Sequence, residues 1–121
     1  ACWVQGVQWM YAGVSPAVPD GCTCPATRPH LDWYKRSYVP EAYRRSLGIM
    51  DTAGNLILHL GQYGNFDDAL RMKPGSSEIA VYLPRFIGGT DNYLCFDDWG
   101  ERLVQLRLDY HATETVSVTG K

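Results

Sequence analysis

Apolar and polar positions alternate in short runs along most of this chain. In 102–110, Val104, Leu106 and Leu108 share one face while Gln105, Arg107 and Asp109 take the other. That is the period-two pattern of a strand with one buried side. Asn55–Leu60 places Leu56, Leu58 and Leu60 together, with His59 on the opposite, outward face. Ile79–Leu83 and Asn92–Phe96 are apolar on both faces, as in strands covered from both sides, and Ser46–Met50 is a further clear segment. Strands are predicted over 29–33, 36–40, 44–51, 55–60, 79–84, 92–97 and 102–110, with a short terminal one at Val116–Val118. Cys2–Val4 and Val7–Tyr11 are rich in aromatic and β-branched residues and read as an N-terminal edge. No window carries the spacing of a long amphipathic helix, and Val39–Arg45 allows a single helical turn.

The connections carry turn chemistry. Asp51-Thr52-Ala53-Gly54-Asn55 joins two strands through a short loop in which Gly54 can take positive φ. Gly88–Asn92 and Asp98–Glu101 are read as turns of the same kind, and Asp67–Ser77 as a longer crossing between units. Many short strands, frequent turns and no helical spacers predict an all-β fold with antiparallel sheets: a sandwich, a barrel or a propeller.

An internal repeat favours the propeller. Residues 36–49 and 92–106 each run through an aromatic-aliphatic strand, an acidic turn, an arginine and an alternating strand, and their arginines, Arg45 and Arg102, stand 57 positions apart. A blade usually takes roughly 40–50 residues, so the 67–77 crossing is expected to supply the excess.

The same segments carry a resemblance. Tyr38-Val39-Pro40-Glu41, then Asp51-Thr52-Ala53-Gly54-Asn55-Leu56-Ile57-Leu58 and Gly61-Gln62-Tyr63-Gly64-Asn65, resemble a blade of NHL-type six-bladed propellers. Asp97-Asp98-Trp99-Gly100-Glu101-Arg102-Leu103-Val104-Gln105-Leu106 resembles the matching turn and strand of a following blade, with Gly100-Glu101 where glycine-asparagine is usual. The resemblance covers about residues 29–118 and is similar in particular to large bacterial propeller proteins. It implies β-propeller-like blades, two to three of them, in an incomplete ring closed by oligomerisation or by another chain. It divides the chain into an N-terminal aromatic, cysteine-containing segment (1–28), a first blade (29–66) and a second blade (78–118). Such propellers are mostly binding scaffolds, and some relatives are metal-dependent lactonases or esterases with the metal on the central axis. A non-catalytic binding or assembly module is therefore expected, with part of a metal-dependent hydrolase as the alternative.

Composition narrows this further. The 121 residues are enough for one modest core, 45% are apolar, and a net charge of −2 leaves no basic stripe for nucleic acid. No apolar run reaches the roughly 20 residues of a membrane-spanning helix. The chain starts at Ala1 without a visible signal peptide, as a processed or trimmed chain would, and a secreted or periplasmic setting is expected.

The candidate chemistry is sparse. Cys22-Thr23-Cys24 with His30 six residues later offers thiolate and imidazole ligands for zinc or copper, although the spacing matches no standard zinc finger. Disulfides and free thiols remain open for the same cysteines. Bridges from this pair would run to Cys2 and Cys95, and Cys95 otherwise reads as a buried thiol. The acidic residues Asp67, Asp68, Asp97, Asp98 and Glu101 are expected to cap strand ends or pair with arginines such as Arg102, rather than bind calcium. No serine sits in a nucleophile-elbow motif and no phosphate-binding loop is present.

Overall fold

A computed structural model describes residues 3–11, 27–42, 44–65, 67–68, 79–99, 102–109 and 117–120. The described residues form an all-β structure with antiparallel sheets. The first sheet holds β1 (His30–Leu31), β2 (Ser37–Glu41), β3 (Ser46–Met50) and β4 (Leu56–Leu60), in the order β1-β2-β3-β4. A short parallel pair joins β5 (Gln62–Tyr63) to β6 (Ala80–Val81). The last sheet holds β7 (Pro84–Gly89), β8 (Tyr93–Asp98) and β9 (Arg102–Arg107), in that order.

The predicted turn at Asp51–Asn55 forms as its chemistry requires. Asp51 Oδ1 accepts from Ala53 N at 2.9 Å and from Asn55 N at 2.8 Å, while Asn55 Nδ2 donates to Asp51 Oδ2 at 2.9 Å. Gly54 takes φ +83°, a conformation that a residue with a Cβ rarely adopts. The carboxylate is held below its ordinary range chiefly by the Asn55 side chain and backbone amide.

The core draws on both larger sheets. Tyr38, Leu47 and Ile49 of the first sheet meet Ile87, Leu94, Phe96 and Val104 of the last, and Val81 of β6 lies in the same cluster. A parallel bridge between Arg28 and Phe86 brings the two sheets together, with Arg28 N donating to Arg85 O and Ile87 N donating to Arg28 O. The sheets therefore share one buried cluster, which suits a chain too short to build two.

The repeat is visible in the placement of the strands, although the pairing differs by one position: Glu41 faces Ser46, whereas Asp98 faces Arg102. Moved by 57 positions, Ser37–Glu41 falls on residues 94–98 within β8, and Ser46–Met50 falls on 103–107 across β9. The two arginines serve one segment. Arg45, at φ +59°, donates to Tyr82 O, and Arg102 donates to Ala80 O, so both guanidinium groups grip the backbone on either side of buried Val81.

Several expectations are corrected. Gly88 and Gly89 lie inside β7, not in a turn; the turn is Thr90–Asn92, where Thr90 N donates to Tyr93 O and Thr90 Oγ1 accepts from Tyr93 N. The single strand predicted over 79–84 is split, with β6 ending at Val81 and β7 starting at Pro84. The split follows from Asp98, whose carboxylate takes the Tyr82 and Leu83 amides that a continuous strand would have given to a neighbour. Residues 3–11 form no strand. Leu58 pairs with Ile49 and Leu56 with Met50 across an irregularity in register, so the predicted common face is broken, and in this outermost strand they remain 45% and 43% exposed. The 67–77 crossing lies mostly outside the described residues, whereas Ser117 and Val118 are described and form no strand, so the strand predicted at Val116–Val118 is not formed there.

Candidate functional site

A polar cluster drawn from the N-terminal segment and three strands surrounds Glu41, at the end of β2. Antiparallel pairing sets Glu41 opposite Ser46 and Gly48 opposite His59, so Glu41, Ser46, Gly48 and His59 all lie on the sheet face turned away from the core. Gly48 is the enabling residue. A Cβ there would come within 3.1 Å of Glu41 Cδ and of Val39 Cγ2, so its absence lets the Glu41 side chain cross β3 towards β4.

The Glu41 carboxylate is 1% exposed and fully engaged. Ser46 Oγ donates to Oε2 at 2.6 Å, His59 Nδ1 lies 2.7 Å from the same oxygen, and the Tyr11 hydroxyl donates to Oε1. Burial pushes this carboxyl up, but the hydrogen bonds from Ser46, Tyr11 and His59 outweigh it and hold the group below its ordinary value. Tyr11 moves the opposite way: burial and the neighbouring carboxylate push its phenol up to about 12. Glu41 is thus a charged acceptor, and Tyr11 a donor that keeps its proton through the ordinary pH range.

Tyr11 arrives on a strap, residues 3–11, most of which is exposed. Trp9 and Tyr11 are its half-buried members and Met10 between them is 81% exposed, so the strap turns alternate side chains towards the sheet. Trp9 lies over the Asp51–Asn55 turn and donates from Nε1 to Thr52 O at 3.1 Å. A Cβ on Gly54 would come within 2.6 Å of Trp9 Cγ, so the indole occupies space that only glycine leaves.

Of the residues singled out for metal chemistry, only His30 lies among the described residues. His30 lies on β1, its ring 5.9 Å from that of Tyr38, and its Nε2 is buried without a hydrogen-bond partner. Cys22 and Cys24 fall outside the described residues, as do Cys2 and Glu101. Among the described residues no three metal-ligating side chains cluster. Of the alternatives open for Cys95, the free thiol is the one found, half-buried where burial was expected, and no bridge reaches it.

The acidic residues are structural, as expected for Asp98. This carboxylate is fully buried, accepts from Leu83 N at 2.6 Å and Tyr82 N at 3.1 Å, and binds the Arg102 guanidinium at 2.8 Å. Asp97 pairs with Arg85, whose guanidinium lies over the Trp99 ring at 5.3 Å. Asp68 exchanges hydrogen bonds with Asn65 in an exposed loop. Another engaged carboxylate, Asp32, accepts from Arg36 N at 2.8 Å, Arg36 Nε at 2.6 Å and the Tyr38 hydroxyl at 3.2 Å; burial raises it, yet these bonds and the Arg36 charge hold it low.

The Glu41 cluster is not legible in the sequence, where His59 is expected on the outward face of its strand. The available signal was the glycine at position 48 between two apolar residues of a strand, which marks a place where another group lies close.

Compared with known proteins, the chain matches no family model, no curated protein and no solved structure.

Proposed function

We propose that this chain is a non-catalytic binding and assembly module whose working surface is the outer edge of β4. The observation that carries this reading is the exposure of three successive residues there: Leu56 at 43%, Ile57 at 51% and Leu58 at 45%. β4 is the last strand of its sheet, and no described strand pairs with its outer edge. An apolar edge strand without lysine or proline is a template for a further strand. The meander orders β1-β2-β3-β4 and β7-β8-β9 also support the blade reading, in which identical copies or a companion chain supply the rest of a ring. Light scattering of the intact chain and of a Leu58→Lys variant tests the proposal: association that the lysine abolishes supports it, and monomers in both cases oppose it.

The metal reading rests on a separate observation. His30 Nε2 is buried and unpartnered, and a buried imidazole nitrogen without a hydrogen bond is uncommon unless something else takes its lone pair or proton. Zinc or copper held by His30 with Cys22 and Cys24 would satisfy it, and a hydrolase fragment would draw its activity from that ion. Elemental analysis tests this: stoichiometric metal lost on Cys22→Ser and His30→Ala supports it, and metal-free protein removes it.

A further inference from the structure

We infer that the outer face of β2–β4 is a two-point socket for an extended Trp-x-Tyr segment, filled in this structure by the chain's own Trp9-Met10-Tyr11 and open to the same segment of a second copy. This goes beyond the β4-edge reading and does not depend on it.

Both points are built by the sheet and not by the strap. At the first, Gly54 opens the space for an indole, and Thr52 O accepts from its Nε1 at 3.1 Å. At the second, Ser46 and His59 already fix the Glu41 carboxylate at 2.6 and 2.7 Å, leaving Oε1 to receive a phenol. An apolar side chain at the second point would leave a buried carboxylate oxygen unmatched, so the socket favours a hydroxyl donor over a phenyl ring. The i, i+2 spacing of the two aromatics matches an extended segment with alternate residues facing the sheet.

The strap itself is lightly held. Trp3 is 83% exposed, Val4 59%, Val7 45% and Met10 81%, so Trp9 and Tyr11 carry its attachment among the described residues. A short segment bound at two points, to groups that all belong to the sheet and its β3–β4 turn, can leave and be replaced by its equivalent from another chain. The chain's own strap competes as an intramolecular ligand, so exchange is favoured at high protein concentration. The groups facing Glu41 among the described residues are Tyr11 from the strap, Ser46 from β3 and His59 from β4, and Arg44 in the adjoining turn exerts a smaller effect on the phenol. None of them places a second negative charge against an incoming phenol.

The test mixes two full-length variants, both carrying Leu58→Lys so that the β4 edge takes no part. Tyr11→Phe keeps the socket and weakens the strap; Glu41→Gln keeps the strap and weakens the socket. Folding of each is checked by near-ultraviolet circular dichroism. Fluorescence energy transfer between labelled chains is expected to show the mixture associating about tenfold more tightly than either variant alone, since the exchange restores one charge-assisted phenol–carboxylate bond. A mixture no tighter than its components overturns the inference, while the light-scattering result for the β4 edge stands or falls separately. If either variant does not fold, a labelled peptide of residues 3–11 is titrated into the unmodified chain instead. Preference for the natural peptide over its Tyr11→Phe version supports the socket, and equal binding overturns it.

Discussion

Glu41 and Asp98 hold the same place in two repeated hairpins, 57 positions apart, and both are buried, yet they bind different partners. Asp98 turns inward to the Tyr82 and Leu83 amides and to Arg102, joining its hairpin to the linker that precedes it. Glu41 turns outward across Gly48 to Ser46, His59 and Tyr11, joining its hairpin to β4 and the N-terminal strap. One position in the repeat thus ties its hairpin to the preceding linker in one case and, in the other, to β4 and the strap on the sheet face turned away from the core.

The two buried carboxylates should differ in what their loss does. Asp98→Ala leaves the Tyr82 and Leu83 amides without their acceptor and removes the carboxylate that pairs with Arg102, and should cost about 3–5 kcal/mol. Removing Asp109, whose pairing with Arg107 at 3.4 Å is exposed, should cost less than about 1 kcal/mol. Urea denaturation followed by circular dichroism measures both.

Acid should weaken the Glu41 cluster in a defined direction. Its folded carboxyl lies below the ordinary value of 4.5, so the bonds to Ser46, His59 and Tyr11 contribute their full stability above that value. The contribution fades as pH falls from about 4.5 through the lower folded value. Thermal melting of the intact chain and of Glu41→Gln should therefore differ most near neutrality and converge in acid. A gap between them that stays constant down to acid pH would contradict this assignment.

Gly54→Ala should act on the strap as well as on the turn. The added methyl meets Trp9 and must occupy φ +83°, so the variant should lose about 1 kcal/mol or more and release the indole from Thr52 O. A rise in solvent quenching of tryptophan fluorescence reports the release. Gly88→Ala, where nothing lies near the added Cβ, should leave the quenching unchanged.

The sequence carried the fold further than the site. Strand alternation and the Asp51–Asn55 turn are local signals, and β2, β3, β4, β8 and β9 lie close to where the pattern puts them. The Arg45–Arg102 spacing marked the repeat, but not that both arginines close on the backbone beside Val81. Glycine misled at 88–89, where it serves a strand and not a turn, because its conformational freedom permits either. The Glu41 cluster was hidden for a different reason: its partners Tyr11, Ser46 and His59 lie 30, 5 and 18 positions away, on separate elements. Only the register of β2, β3 and β4 brings the sheet's share of it together.

The most direct test of the central claim, that the apolar edge of β4 is a surface for assembly, is the mass in solution of the intact chain and of its Leu58→Lys variant, by light scattering at micromolar concentration. The account predicts a mass well above 13.6 kDa for the intact chain, falling to 13.6 kDa for the variant while its circular dichroism is unchanged. A compact 13.6 kDa monomer for the intact chain would contradict it.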